Sequence, residues 1–304
     1  ARAYLEQALG AFREAGDRRN EAMMLNNTGY LLREMGQLEE AEGYHLRSLQ
    51  MREAIGDRVG VGRVYGQLAV VYTAQGRHAE SAEAGREALA IARETRDRLY
   101  EGTALAQIAA SESASGNPQA ASAYYEESRA VFADIGDQMR VLQVDLELAR
   151  LDIGEGRLDA AEHVGLRVAE DAAIRSLVQP EVEALQLLGE VAEARGDIPG
   201  AVAGFRRALD RVREASWDGK EAEITLQLIH AHLDNDDRGA AAPLVGALQA
   251  FPPSVSSLRA RARFAWSEGD AERARQLMLE AKALAGARWD ADSEQQLAEY
   301  QPGQ

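Results

Sequence analysis

The sequence has 304 residues and a formal net charge of -16, with 28% charged residues, 6% aromatic residues and no cysteine. That acidity repels phosphate backbones and argues against nucleic-acid binding, while the missing cysteines exclude disulfides, thiolate metal sites and cysteine nucleophiles and fit a reducing cytoplasm. No run of about 18 apolar residues could span a membrane, and no basic segment followed by an apolar stretch marks a secretory signal.

Alanine, glutamate, leucine and arginine dominate, which predicts a mostly helical chain. Residues 1–15 read as a helix with Ala8 in register with Ser48 and Ala88 further on. The chain is therefore expected to begin halfway through a repeat and to be part of a longer parent. Gly16-Asp17 closes this helix, glycine as stop signal and aspartate as N-cap of the next helix. That next helix carries Leu25, Thr28, Gly29 and Leu32 on one face. A turn comes at Gly36, where a helix end needs a left-handed backbone. A second helix through Leu38, Ala41, His45 and Leu49 then runs to Gly56-Asp57.

This hairpin recurs. Gly76, Gly116, Gly156 and Gly196 follow Gly36 at steps of 40 residues. The slot of Ala41 is filled by Ser81, Ala121, Ala161 and Ala201, and that of Gly29 by Ala69, Ala109, Ala149 and Gly189. Gly136-Asp137 keeps the junction register, with Arg96-Asp97 in the slot between. Gly29 and Ala41 are expected where the two helices cross, since a large side chain there would push the axes beyond the usual ~8–10 Å. A hairpin cannot bury its own apolar face, so neighbours must stack.

In the fourth hairpin Asp145 and Asp152 stand where Leu25 or Tyr65 and Leu32 or Tyr72 stand elsewhere. Either that helix rolls to bury Val141, Val144, Leu148 and Leu151, or the stack loosens. Asp236 occupies a glycine slot although Ala241 keeps its own, and Pro252-Pro253 ends that hairpin early. A shorter unit from about Ser254 carries Ala262, Gly269 and Ala274. Residues 293–300 predict a last helix, with Trp289 covering the apolar end as a terminal cap.

The pattern resembles the tetratricopeptide repeat (TPR) family in its longer, 40-residue-period form, as found in bacterial multidomain regulators. The family's small residue, turn glycine and second-helix alanine correspond to Gly29, Gly36 and Ala41. Its second-helix aromatic appears as Tyr125 and Phe205, whereas His45, Gly85 and Gly165 depart from it. The Gly-Asp junction replaces the proline that often ends the shorter repeat. The resemblance implies an all-α, right-handed superhelical solenoid of about seven helical hairpins. One array over 1–304 is expected: a truncated repeat (1–17), regular repeats (18–57, 58–97, 98–137, 138–177, 178–217), a degenerate repeat (218–253), a short repeat (254–287) and a cap (288–304). It implies a cytoplasmic, non-catalytic scaffold that binds a protein or peptide, serving as the recognition or sensor part of a larger bacterial regulatory protein. The alternatives are an architectural self-association module, or an accessory domain of a parent kinase or ATPase whose catalytic part lies upstream.

No catalytic constellation emerges. His230 and His232 are two apart and point to different helix faces, so they cannot share a metal, and His45, His78 and His163 are scattered. There is no HExxH, GxSxG or Walker loop, and no cofactor or metal is expected. In the resembled family the first helices line an inner groove. Met23, Asn27, Tyr30 and Glu34 form one stripe on the first of them. Positions equivalent to Asn27 are Gln67, Gln107, Glu147, Leu187 and Gln227, an amide or carboxylate in all but one. An amide can pair with the backbone of an extended peptide, and Arg63 and Arg150 on neighbouring positions can hold a carboxylate. The candidate groove residues are Met23, Asn26, Asn27, Tyr30, Arg63, Gln67, Thr103, Gln107, Glu147 and Arg150. Asparagine is a poor helix former, which singles out Asn27, whereas Asn26 has the alternative of touching the previous unit. Equally, polar residues on an exposed helical face need no ligand, and the acidic charge supports solubility whether or not it selects a basic partner.

Overall fold

Every twentieth backbone position from Gly16 to Asp236 bends into the left-handed region. Glycine holds eight of these twelve slots, with φ between 70° and 78°. Arg96 (57°), Ser176 (57°), Ser216 (52°) and Asp236 (55°) hold the other four. The computed structural model describes residues 2–286 and 289–300, which form sixteen α-helices and one 3-10 turn, with no strand among the described residues.

The chain forms two compact units, Ala1–Leu151 and Asp152–Gln304. The first contains α1 (Arg2–Glu14), α2 (Arg18–Glu34), α3 (Leu38–Ala54), α4 (Arg58–Ala74), α5 (His78–Thr95), α6 (Arg98–Ala114), α7 (Pro118–Asp134) and most of α8 (Gln138–Gly154). The second contains α9 (Leu158–Ile174), α10 (Val178–Ala194), α11 (Ile198–Glu214), α12 (Asp218–Asp234), α13 (Arg238–Ala247), α14 (Val255–Ser267), α15 (Ala271–Ala285) and α16 (Ala291–Glu299).

Each left-handed residue ends a helix in the same way. At the first hairpin the N–H of Gln37 donates to the carbonyl of Leu32 at 2.9 Å, five residues back. This bond of the Schellman type recurs at each of the twelve junctions and satisfies carbonyls the helix end would otherwise orphan. The next residue opens the following helix. Asp17, Asp57, Asp97 and Asp137 each accept the backbone N–H three residues on, so the aspartate caps form as the sequence predicts. In the next two hairpins the capping moves to the other helix, where Asp197 and Asp237 cap α11 and α13 while α10 and α12 start without a side-chain cap.

Packing within a hairpin pairs a small residue with a ring. A Cβ on Gly29 would lie 2.8 Å from the His45 ring, and one on Gly189 would lie 2.6 Å from Phe205. Ala109 and Tyr125 belong to one buried cluster at the corresponding positions. Gly29 therefore faces the ring slot rather than Ala41, which is fully buried with Leu32 and with Val71 of the next hairpin. His45 fills the place of the aromatic it replaces. Removing such a core ring costs about 3–5 kcal/mol, more than any single cap contributes.

Helix α8 accommodates its aspartates without a loss of core. Val141 and Val144 are buried, and Leu148 and Leu151 pack against the same cluster. Asp145 is also buried, at 6% exposure, and pairs with Arg129 of α7. Asp152 pairs with Arg157 at the following turn. Further along, Asp236 adopts the left-handed conformation despite its side chain, so the register persists two slots beyond Gly196, the last glycine of the series. The ten-residue α13 gives way to a 3-10 turn, Leu248–Ala250, ahead of the two prolines. Ser254 then starts α14 through a reciprocal capping box with Ser257. Trp289 packs beside the terminal cluster and its indole N–H donates to Glu294 at 2.7 Å, while Tyr300 is buried against Trp266.

A left-handed L-residue costs about 1–2 kcal/mol relative to glycine. Replacing Ser176 and Ser216 together by glycine is expected to raise stability by a net of about 1–2 kcal/mol, the two relieved corners less what glycine adds to unfolded-state entropy. Urea unfolding of the double variant measures this, and an unchanged or lower midpoint would contradict it.

Candidate functional site: a cleft and recess on the first helices

Helices α4, α5 and α6 pack on one another and leave a cleft of about 80 Å³ on the first-helix side. Its formation follows from residue size. Gly66 of α4 has nothing within 4 Å of where a Cβ would sit, so its missing side chain leaves open space. Gly62 and Gly85 instead let α4 and α5 close on their neighbours, since a Cβ on either would lie 2.7 Å from Ile91 or Ile108. Val59, Val70, Ile91 and Tyr100 supply apolar lining.

Four of the candidate residues converge on this cleft: Arg63, Gln67, Thr103 and Gln107. The Arg63 guanidinium lies over the Tyr100 ring at 4.7 Å from its centroid, a cation–π contact that orients an exposed arginine. Asp97, also at the cleft, is occupied in capping α6. A second recess of about 210 Å³ follows between α6, α7 and α8, lined by Thr103, Glu147, Arg140, Gln143 and the rings of Tyr125 and Phe132.

The amide ladder turns out to bridge neighbouring first helices. Gln67 accepts from Arg33 at 3.3 Å, and Gln107 donates to Thr73 at 3.0 Å, each partner lying 34 residues earlier. Gln107 also reaches Ser81 at 3.4 Å, which joins a buried hydroxyl pair with Ser111 at 2.7 Å. In the second unit the ladder residue Leu187 is buried, and the amide comes from its neighbour Gln186, which donates to Gln227 at 2.7 Å. Part of each amide's hydrogen-bonding capacity is thus used within the fold.

The remaining candidates lie elsewhere. Met23, Asn27 and Tyr30 are exposed along α2, with Arg33 over the Tyr30 ring at 4.6 Å. Arg150 pairs with Glu147 at 2.5 Å and does not share the Arg63 cleft, so the two arginines are not brought together to hold one carboxylate. Asn26 turns into its own hairpin rather than to the previous unit: its Oδ1 lies 2.9 Å from His45 Nδ1. An amide oxygen only accepts, so Nδ1 carries the proton and the buried Nε2 is left without a partner. Burial, and secondarily the charge of Arg33, lower the His45 pKa to about 4.

The cleft floor went unread in the sequence, although glycines at 60, 62 and 66 within one predicted helix are a usable sign that backbone must approach or space must remain. No group of three metal-ligating side chains occurs among the described residues, nor any helix long and apolar enough to cross a membrane.

Stacked helical hairpins that place a small residue against a ring define a TPR-type repeat scaffold. The chain belongs to the MalT-like TPR region family, whose description matches residues 1–216. Among solved structures, BtubC (BKLC) from P. vanneervenii aligns with a TM-score of 0.58 at 22% identity, over 71% of this chain and 90% of that one. A tetratricopeptide repeat protein from Parabacteroides merdae aligns at 0.56 and 14% identity, over 92% and 98%. Aspartyl phosphate phosphatase F from Bacillus subtilis aligns at 0.64 and 10% identity, over 84% and 66%. At these identities the likeness speaks for the fold alone. No curated protein sequence matches the chain.

His45 provides a pH test of this packing. The unfolded chain takes up a proton near the ordinary value of 6.5, the folded chain only near 4, so this contribution to stability is intact above 6.5 and lost as pH falls toward 4. Between pH 7.5 and pH 5 the chain is expected to lose about 2 kcal/mol that His45→Phe does not lose. Urea unfolding of both proteins at the two pH values measures the difference, and parallel pH dependence would exclude His45 as its source.

Proposed function

We propose that this chain is the partner-recognition part of a larger cytoplasmic regulatory protein of bacterial type, and that it binds an extended peptide segment of a protein along its first-helix face. The reading treats the chain as one array of hairpins with a 40-residue period. The observation that carries it is the cleft at α4–α6, where an apolar, glycine-opened floor meets a rim of one guanidinium, two amides and a hydroxyl. Such a site takes one apolar side chain in the floor, while Gln67 and Gln107 offer their remaining hydrogen-bonding capacity to backbone. Arg63 has no ion-pair partner among the described residues. Above the cleft it favours a carboxylate on the bound segment, in a chain whose overall charge opposes acidic ligands at long range. The exposed stripe of Met23, Asn27 and Tyr30 extends the same face onto α2.

Gly66→Leu tests this directly, because the added side chain enters open space instead of the core. Peptides selected on the purified chain are expected to lose about tenfold or more in affinity for Gly66→Leu, an apolar anchor being worth ~1.5–3 kcal/mol. Gly66→Ala should bind with a smaller loss and be more stable by about 0.5–1 kcal/mol. Asn27→Ala with Gln67→Ala should also weaken capture at unchanged helicity. Full affinity in Gly66→Leu would remove the cleft from the binding site.

A further inference from the structure

Arginines at 259, 261 and 263 are concentrated on one short helix of a chain with net charge -16. On α14, Arg259 and Arg263 are four residues apart and share a face, with Ser256 one turn earlier. These three line a recess of about 280 Å³ together with His230 of α12 and Gln296 of α16. Arg263 ties α14 to α12: one terminal nitrogen donates to His230 Nδ1 at 3.1 Å, and the other pairs with Asp234. Arg259 is less engaged. Its Nε donates to Gln296 Oε1 at 3.3 Å, and its two terminal nitrogens have no acceptor among the described residues.

The lining of the recess carries two guanidiniums and no carboxylate. Asp234 is held by Arg263, and Asp290, which feels the charge of Arg259, accepts from the Ser293 N–H at the start of α16. Glu299, next to the buried Tyr300, is exposed. Burial and then the charge of Arg263 hold the His230 pKa below its ordinary value, with Arg259 acting in the same direction against Asp234. Because Nδ1 accepts from Arg263, the neutral imidazole carries its proton on Nε2, a further donor.

Donors on α12 and α14 therefore surround a polar recess that contains a guanidinium with free N–H groups. One arginine satisfies a planar carboxylate in a bidentate pair. A phosphoryl group instead presents three strong acceptor oxygens in different directions, and two guanidiniums, an imidazole and a hydroxyl match it better. We propose that the recess between α12, α14 and α16 is a binding site for a phosphate-type oxyanion. The site is independent of the peptide cleft and stands whether or not that reading holds.

Calorimetric titration of the full chain with inorganic phosphate at fixed ionic strength tests it, with acetate as the second arm. Saturable phosphate binding at one site is expected, weakened about tenfold or more in Arg259→Gln, as loss of a charge-assisted contact implies, and unchanged in Arg261→Gln. Phosphate should also raise the imidazole pKa of His230, followed by NMR in the unaltered chain, a readout that survives if a variant folds poorly. Absence of saturable phosphate binding, equal binding by Arg259→Gln, or an unmoved His230 would overturn the assignment. Acetate binding as tightly as phosphate would overturn its phosphate character.

Discussion

A chain that changes direction every twenty residues must find a backbone conformation at each corner that costs an L-residue about 1–2 kcal/mol. Here glycine meets that cost at eight of twelve corners, and the other four adopt the same conformation with side chains in place. Seventeen helical residues and a three-residue corner make each regular step but that of α5, which has eighteen and two, so a full helix is about 26 Å long. Within each unit, equal lengths keep equivalent residues of successive first helices in step. The junction bonds and aspartate caps stabilise a corner once it exists, at about 0.5–2 kcal/mol per cap. The corner itself decides the register, and every cross-repeat contact depends on that register.

The second consequence is the exchange of size across each hairpin. Gly29 receives a histidine ring, Gly189 a phenylalanine ring, and Ala109 lies in one cluster with Tyr125. Where the ring slot holds glycine instead, at Gly85 and Gly165, the space is filled from the next first helix by Ile108 and Leu188. The same volume is thus completed within the hairpin in one repeat and by its successor in another. This is why the departures from the aromatic pattern do not open the core.

Much of this was legible because it follows from local rules repeated at fixed spacing. Glycine corners, aspartate caps and alternating small residues each have a short-range cause, and recurrence turns weak signals into a strong one. The corners at Ser176 and Ser216 were less legible, since neither residue announces a left-handed backbone and only the twenty-residue spacing marks the place. The site was read less well, for a different reason. Spacing placed Arg63, Gln67, Thr103 and Gln107 on one helical face, and the structure gathers them around one cleft. It could not show that Arg150 is taken by Glu147, or that Asn26 turns inward to a histidine nineteen residues later. Side-chain pairing between helices depends on rotation and tilt, which period alone does not specify.

The amide ladder shows why a polar stripe on a repeat protein is weak evidence for binding when considered alone. Gln67 and Gln107 each bond to the preceding first helix at the same separation, and Gln186 supplies the amide where the register position holds a buried leucine. A contact that recurs with the repeat, and is restored by a neighbour where the pattern lapses, has a role in the stacking itself. Evidence for a ligand must come from what breaks the repeat. In the first unit that is Gly66, the one position of its series where a glycine leaves open volume between polar side chains: its equivalents are Asn26, Ala106, Leu146 and Gln186. In the second it is the arginine run of α14, two of whose guanidiniums line a recess with no carboxylate in its lining. Periodicity built the frame, and the departures from periodicity mark where this chain differs from a frame alone.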